Sequence, residues 1–214
     1  MIFEDNVLKE YLSNVYFIAG TPCGGKTTVS HILGERHGIS VYDADEHFDA
    51  HRGMSDSKHQ PAMNTSFADA DEFFARSADE YLEWLTAGAR EQLDFMLLDL
   101  IRISADKPVI CDCVLKIEEL RVLSDPSRVA FMIKEPVMLA DEYCGREDHR
   151  DYRDWLYSAS DVEGAKALCS ETLMRLNMPF YKEVRQSGYF FIDRSEGLDR
   201  EQCAERTAEH FGWR

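Results

Sequence analysis

The stretch Gly20-Thr21-Pro22-Cys23-Gly24-Gly25-Lys26-Thr27-Thr28 decides how the rest of this chain is read, because it fits G-x-x-x-x-G-K-[ST] between a strand and a helix. Upstream, Val15 to Ala19 reads as a short buried strand. Downstream, Thr27 to Arg36 reads as a helix with Val29, Ile32 and Leu33 on its inner side. Glycines let consecutive backbone N–H groups close around an anion, and the helix N-terminus adds its partial positive charge. In such a loop Lys26 reaches the β- and γ-phosphates of a nucleoside triphosphate and the Thr27 hydroxyl binds Mg²⁺, with Thr28 near the α-phosphate. The whole run, Gly20, Thr21, Pro22, Cys23, Gly24, Gly25, Lys26, Thr27 and Thr28, is therefore the candidate nucleotide-binding loop.

Working outward, Gly34 to Gly38 carries a helix stop and Ile39 to Ala44 reads as a second strand, which completes a βαβ unit. Pro108 to Val114, Arg128 to Lys134 and Gly188 to Asp193 give three more short apolar strands separated by helical patterns. Runs of this kind suit a parallel sheet covered on both faces. Between the second and third strands, Ala70 to Ile103 has apolar residues at helical spacing, and the expectation is two helices broken near Ala87-Gly88. Residues 51 to 66 read as a polar loop. Asp141 to Asp154 reads as an irregular, charge-dense segment before a helix from Val162 to about Leu176, and Leu198 to Phe211 as a final amphipathic helix.

A chain of 214 residues suffices for one domain with a full core. We expect a single domain over 1–214, with a helical acceptor-side insert over 46–105 and a candidate lid over 141–160. The formal net charge of −16 argues against a nucleic-acid or anionic-membrane partner. Six cysteines without C-x-x-C spacing favour free thiols, and the chain shows no leader pattern or membrane-length apolar run, so the expected location is cytoplasmic.

The second strand ends Val41-Tyr42-Asp43-Ala44-Asp45. Ligands of open parallel sheets bind beyond the carboxyl ends of the strands, which sets Asp43 and Asp45 beside the phosphate loop. Asp43 is expected near Mg²⁺, and Asp45 is expected to bind the acceptor or act as base; a plain helix N-cap is the alternative for Asp45. Asp112 lies within an apolar third strand, where a carboxylate needs a cation or hydrogen bonds. It is the third candidate metal residue beside Thr27 and Asp43. Arg146, Arg150 and Arg153 cluster after the fourth strand, where guanidinium groups could close over a transferring phosphoryl group; a salt-bridged surface helix is the alternative. Arg194, just after the fifth strand, is expected near the nucleotide base. His47 and His51 are read as part of a solvated helix start in preference to metal ligands, and Arg76, Arg90 and Arg102 as surface or snorkelling residues in preference to contacts for an anionic acceptor.

Taken together, Gly20 to Thr28, Asp43 with Asp45, Asp112 and Arg146 to Arg153 resemble the small P-loop kinases of the nucleoside monophosphate kinase and shikimate or gluconate kinase group. The resemblance implies a three-layer α/β/α fold with a five-stranded parallel sheet in the order 2-3-1-4-5, ATP as donor, Mg²⁺, and a lid closing over a small-molecule acceptor. Two departures stand out. The third strand is not followed by the Gly-Gly-Gly run of shikimate kinases, nor by the Asp-Gly-Phe-Pro run of adenylate kinases, which disfavours shikimate and AMP as acceptors. A nucleotide-binding regulatory module with slow ATPase activity shares the loop and is the alternative function; no Asn-Lys-x-Asp guanine-reading motif is present.

Overall fold

The computed structural model describes residues 5–145 and 150–213. Five strands form one parallel sheet: β1 (Val15–Gly20), β2 (Ser40–Asp43), β3 (Val109–Asp112), β4 (Val129–Ile133) and β5 (Phe190–Asp193), in the order β2-β3-β1-β4-β5. Helices α1 (Asp5–Tyr11), α2 (Lys26–His37), α3 (Phe48–Met54), α4 (Ala70–Phe74) and α5 (Ala78–Ile103) fall before or between the first three strands. After β3 come α6 (Ile117–Leu123), α7 (Pro136–Gly145), α8 (Arg150–Tyr157), α9 (Val162–Gln186) and α10 (Arg200–His210).

The strands are short and continuously apolar because both faces of the sheet are covered. On one face Phe17, Ala19, Val109, Cys111 and Phe131 form a core with α5 and α6, and with Val184 of α9. On the other, Ile18, Ile110, Ala130 and Met132 pack against Val29 and Leu33 of α2 and Ala204 of α10. Alternation along β3 thus sends Cys111 to the first face and Asp112, with Ile110, toward α2. The small buried thiols Cys111 and Cys113 pack in the first core.

Four expectations about helices are corrected. Ala78–Ile103 is one continuous 26-residue helix with no break at Gly88. An interior glycine costs only about 1 kcal/mol against alanine, which tertiary packing overrides. The break falls instead at residues 75–77, where Ser77 and Glu80 form a reciprocal capping box that starts α5. Helix α9 runs past Leu176 and through Pro179 to Gln186, with Leu173 and Val184 buried on either side of the proline. The charge-dense segment is helical where described: α7 reaches Gly145 and α8 begins at Arg150. Part of the polar loop is helical too, since α3 covers Phe48–Met54.

Candidate active site

The phosphate loop is shaped by its contact with β4. Thr21 donates its N–H to the Met132 carbonyl at 3.1 Å, and its buried hydroxyl oxygen accepts from the Lys134 N–H at 2.9 Å. A Cβ at Gly24 would stand inside 3.0 Å of the same Met132 carbonyl, so the loop can lie this close only without a side chain. Gly25 has φ 91° and Cys23 φ 57°, two left-handed residues that turn the chain into the first turn of α2. Lys26 opens that helix and folds its Nζ back onto the Thr21 carbonyl at 3.2 Å. The Arg194 side chain crosses the outer side of Gly25, and its Nη1 donates to the Leu198 carbonyl at 2.6 Å.

Asp112 stands opposite Asp43 in the β2–β3 register and opposite Ile18 in the β1–β3 register. It is 4% exposed, and its Oδ2 is buried without a hydrogen-bond partner. Burial pushes its carboxyl up to about 6; the positive charge of Lys26 and a hydrogen bond from the Thr27 side chain pull the other way, while the charges of Asp43 and Asp45 add to the rise. These five residues are therefore electrostatic neighbours. Lys26 and Thr27 belong to α2, Asp43 to the end of β2, Asp45 to the turn that follows it and Asp112 to the end of β3, so the sheet's register and one turn assemble the cluster.

The turn after β2 is clamped from several directions. Asp45 donates its N–H to Asp43 Oδ1 at 2.9 Å, and Ala44 donates its N–H to the Asp112 carbonyl at 3.1 Å. His47 Nδ1 bonds the Asp43 carbonyl at 2.8 Å while its ring stacks on Tyr42 at 4.2 Å. Gln92 of α5 donates to the Ala44 carbonyl at 2.6 Å. The N-cap position of α3 belongs to His47, so the cap alternative for Asp45 is not realised.

His51 overturns the expectation of a solvated helix start. It is fully buried, 3.0 Å from Asp99 and 3.4 Å from Gln92, and it stacks on Phe95. Tyr42 adds its hydroxyl to Asp99 at 3.4 Å. Among the described residues no group of three or more His, Cys, Asp or Glu side chains is arranged to hold a metal by itself. The long-range partners Gln92 and Asp99 were invisible in the sequence, which gives no pairing between a short helix and the middle of α5. Further along, Glu91 accepts from the N–H groups of Ala62 and Met63 at 3.1 and 2.8 Å, and Trp84 donates to the Ala62 carbonyl at 3.0 Å. Arg76, expected as a surface or snorkelling residue, is half-buried, with its guanidinium 4.2–4.9 Å from the rings of Phe67, Phe73, Tyr81 and Trp84. Burial lowers its pKa from the usual arginine value.

Arg150 and Arg153 are carried on α8, which packs on α9 through Leu156. Arg150 is exposed, and the Arg153 guanidinium lies 3.9 Å from Asp154. Arg146 lies outside the described residues. A cavity of about 680 Å³ opens between the start of α5 and α9, lined by Arg76, Asp79, Asp161 and Arg175 among others; it shares no residue with the phosphate loop or the Asp43–Asp45 turn.

No family model and no curated protein matches the chain. Among solved structures, the shikimate kinase of Acinetobacter baumannii, in complex with shikimate, is 16% identical at a TM-score of 0.50, with 92% of this chain and 91% of that chain covered. The shikimate kinase of Bacteroides thetaiotaomicron is 14% identical at a TM-score of 0.50, with 91% and 96% covered. The chain thus has an α/β/α fold, with its strands in the order β2-β3-β1-β4-β5, that matches the P-loop fold of these shikimate kinases. No helix among the described residues is long and apolar enough to cross a membrane.

Proposed function

We propose that this chain is an ATP- and Mg²⁺-dependent phosphotransferase acting on a small hydroxyl- or phosphate-bearing acceptor. The observation that carries the reading is Asp112: a carboxylate 4% exposed, with one oxygen unpartnered, beside Lys26 and Thr27 at the mouth of a glycine cradle. A fold keeps such a group against its desolvation cost where a cation is to be bound. The oxygen set fits Mg²⁺, which favours carboxylates, a hydroxyl and retained waters. Thr27, Asp112 and Asp43 would hold it, and when bound it would offset charge on the donor phosphates.

In this reading the loop amides from Gly20 to Thr28 and the Lys26 ammonium bind the phosphates of ATP, while Arg194 flanks the nucleotide beyond Gly25. Asp45 faces the acceptor and takes the proton of its hydroxyl. The rigid clamping of the Asp43–Asp45 turn serves that role, because a base misplaced by an ångström loses most of its effect. The segment 46–105 is the acceptor-side insert, and 141–160, with Arg146, Arg150 and Arg153, is the lid that excludes water from the single domain. The neighbour from Acinetobacter baumannii binds shikimate. Here Cys113-Val114-Leu115 follows β3 in place of a glycine run, which argues for a different acceptor.

The test is ADP release across a panel of small metabolites with wild type and Lys26→Ala. We expect one acceptor class to raise the rate far above the basal level, and Lys26→Ala to abolish that rise in a folded protein. A panel that raises nothing overturns the transferase in favour of a nucleotide-binding module; full transfer by Lys26→Ala overturns the site.

A further inference from the structure

Two thiols away from the phosphate site face each other. Cys144, at the end of α7, has its Sγ 3.5 Å from the Sγ of Cys169 in the middle of α9. Cys169 is 1% exposed, whereas Cys144 is half-buried and can be reached from solvent. Tyr152 of α8 donates its hydroxyl to Cys169 Sγ at 3.2 Å and shares a second hydrogen bond of 3.2 Å with the Tyr81 hydroxyl of α5. Four helices therefore meet at this sulfur pair, inside the apolar cluster that also contains Leu156, Ala165 and Leu173.

We propose that Cys144 and Cys169 are an oxidative modification site, forming a reversible intrachain disulfide that joins α7 to α9. Sulfurs already in contact need only a side-chain adjustment to reach the bond distance of about 2.05 Å. The other close thiols are poorer candidates. Cys111 and Cys113 share a face, but they sit two residues apart on an extended segment, about 6.6 Å between Cα atoms, and both are buried beneath helices.

The oxidant we name is a hydroperoxide. The Cys144 thiolate attacks its distal oxygen, the O–O bond breaks, and an alcohol, or water from hydrogen peroxide, leaves behind a sulfenic acid. The Cys169 sulfur then attacks the Cys144 sulfur; the S–O bond breaks, and the departing hydroxide takes the Cys169 proton and leaves as water. Two thiols lose two electrons in all, and the peroxide gains them. Exposure sets the order of events, since only Cys144 meets the oxidant. Pairing with Cys144 and burial push the Cys169 thiol well up, while the Tyr152 hydroxyl opposes that rise by favouring the anionic sulfur needed in the second step. A small dithiol reverses the bond by exchange. The bond would restrain the helices around α8, which carries Arg150 and Arg153; that consequence for turnover rests on the proposed transferase function, and the thiol chemistry does not.

The experiment uses the reduced full chain, treated with one equivalent of hydrogen peroxide, then unfolded, alkylated and mapped by mass spectrometry without reduction. We expect a linked Cys144–Cys169 peptide with the other four of the six cysteines alkylated, and recovery of all six thiols after dithiothreitol. Cys169→Ser should stop Cys144 at the sulfenic acid, which dimedone captures; Cys144→Ser, at a half-buried position, should give neither linked peptide nor captured Cys169. Six alkylated thiols after peroxide, or a different linked pair, overturns the proposal. A linked pair with unchanged ADP release supports the modification and counts against α8 as a lid, so the two readings fail separately.

Discussion

Replacing Asp112 with asparagine should stabilise the unliganded protein at neutral and alkaline pH while removing its response to Mg²⁺. Burial raises the Asp112 carboxyl from 3.8 to about 6, so folding favours its neutral form. The stability this group contributes is complete below pH 4 and is lost as the pH rises through 6, because the unfolded chain ionises first and the folded chain must then carry a desolvated charge. The gap between 3.8 and about 6 corresponds to about 3 kcal/mol. Asparagine has nearly the same shape, keeps an acceptor for Thr27 and cannot ionise. Urea titrations at pH 4 give the effect of exchanging a neutral carboxyl for an amide. Moving to pH 8 should add about 3 kcal/mol in favour of Asp112→Asn over wild type. At pH 8, Mg²⁺ with ATP should raise the melting temperature of wild type far more than that of the variant. A difference between the two proteins that stays flat from pH 4 to pH 8 would refute the claim that a desolvated carboxylate is kept at this position.

Gly24→Ala drives a Cβ into the Met132 carbonyl and should cost about 1–3 kcal/mol in a urea titration, with loss of nucleotide binding; a wild-type midpoint would sink the close-approach argument. Asp45→Asn should lower turnover by about 10²-fold or more with nucleotide affinity nearly unchanged, measured by calorimetry beside rate; equal losses in both would remove Asp45 from the chemistry. His51→Ala leaves Asp99 and Gln92 without their buried partner and should destabilise by about 2–4 kcal/mol; a change within about 0.5 kcal/mol would show that the network does not stabilise the fold.

What was legible in the sequence were features whose cause is local. The glycine spacing before Lys26, the acids closing β2 and the carboxylate inside β3 each depend on neighbours within a few residues and on the rule that parallel strands present ligands at their carboxyl ends. The strand order followed from resemblance and is found in the structure. What escaped was set by contacts across the chain. The sequence predicts a helix break near Gly88 and a helix end at about Leu176, but α5 runs through the glycine and α9 on through Pro179, as packing along both helices outweighs a local penalty. His51 gave no sign of burial, because its partner Asp99 lies 48 residues away. Arg76 reads from the sequence as a surface or snorkelling residue, and its guanidinium instead lies against four aromatic rings from three segments.

The unbroken α5 has a consequence for how this protein could diversify. Trp84, Glu91, Gln92 and Asp99 reach from this one helix to the loop at residues 62–63, to the turn at Ala44 and to His51. Phosphate-loop geometry, by contrast, is dictated by the Met132 carbonyl on the opposite flank of β1. The two halves of the candidate site therefore hang from separate supports, one a helix and one a strand. On the proposed transferase function, exchanging residues along the exposed edge of α5, or swapping the loop it grips, would alter what is recognised without touching the cradle, a route to retargeting by grafting a single segment.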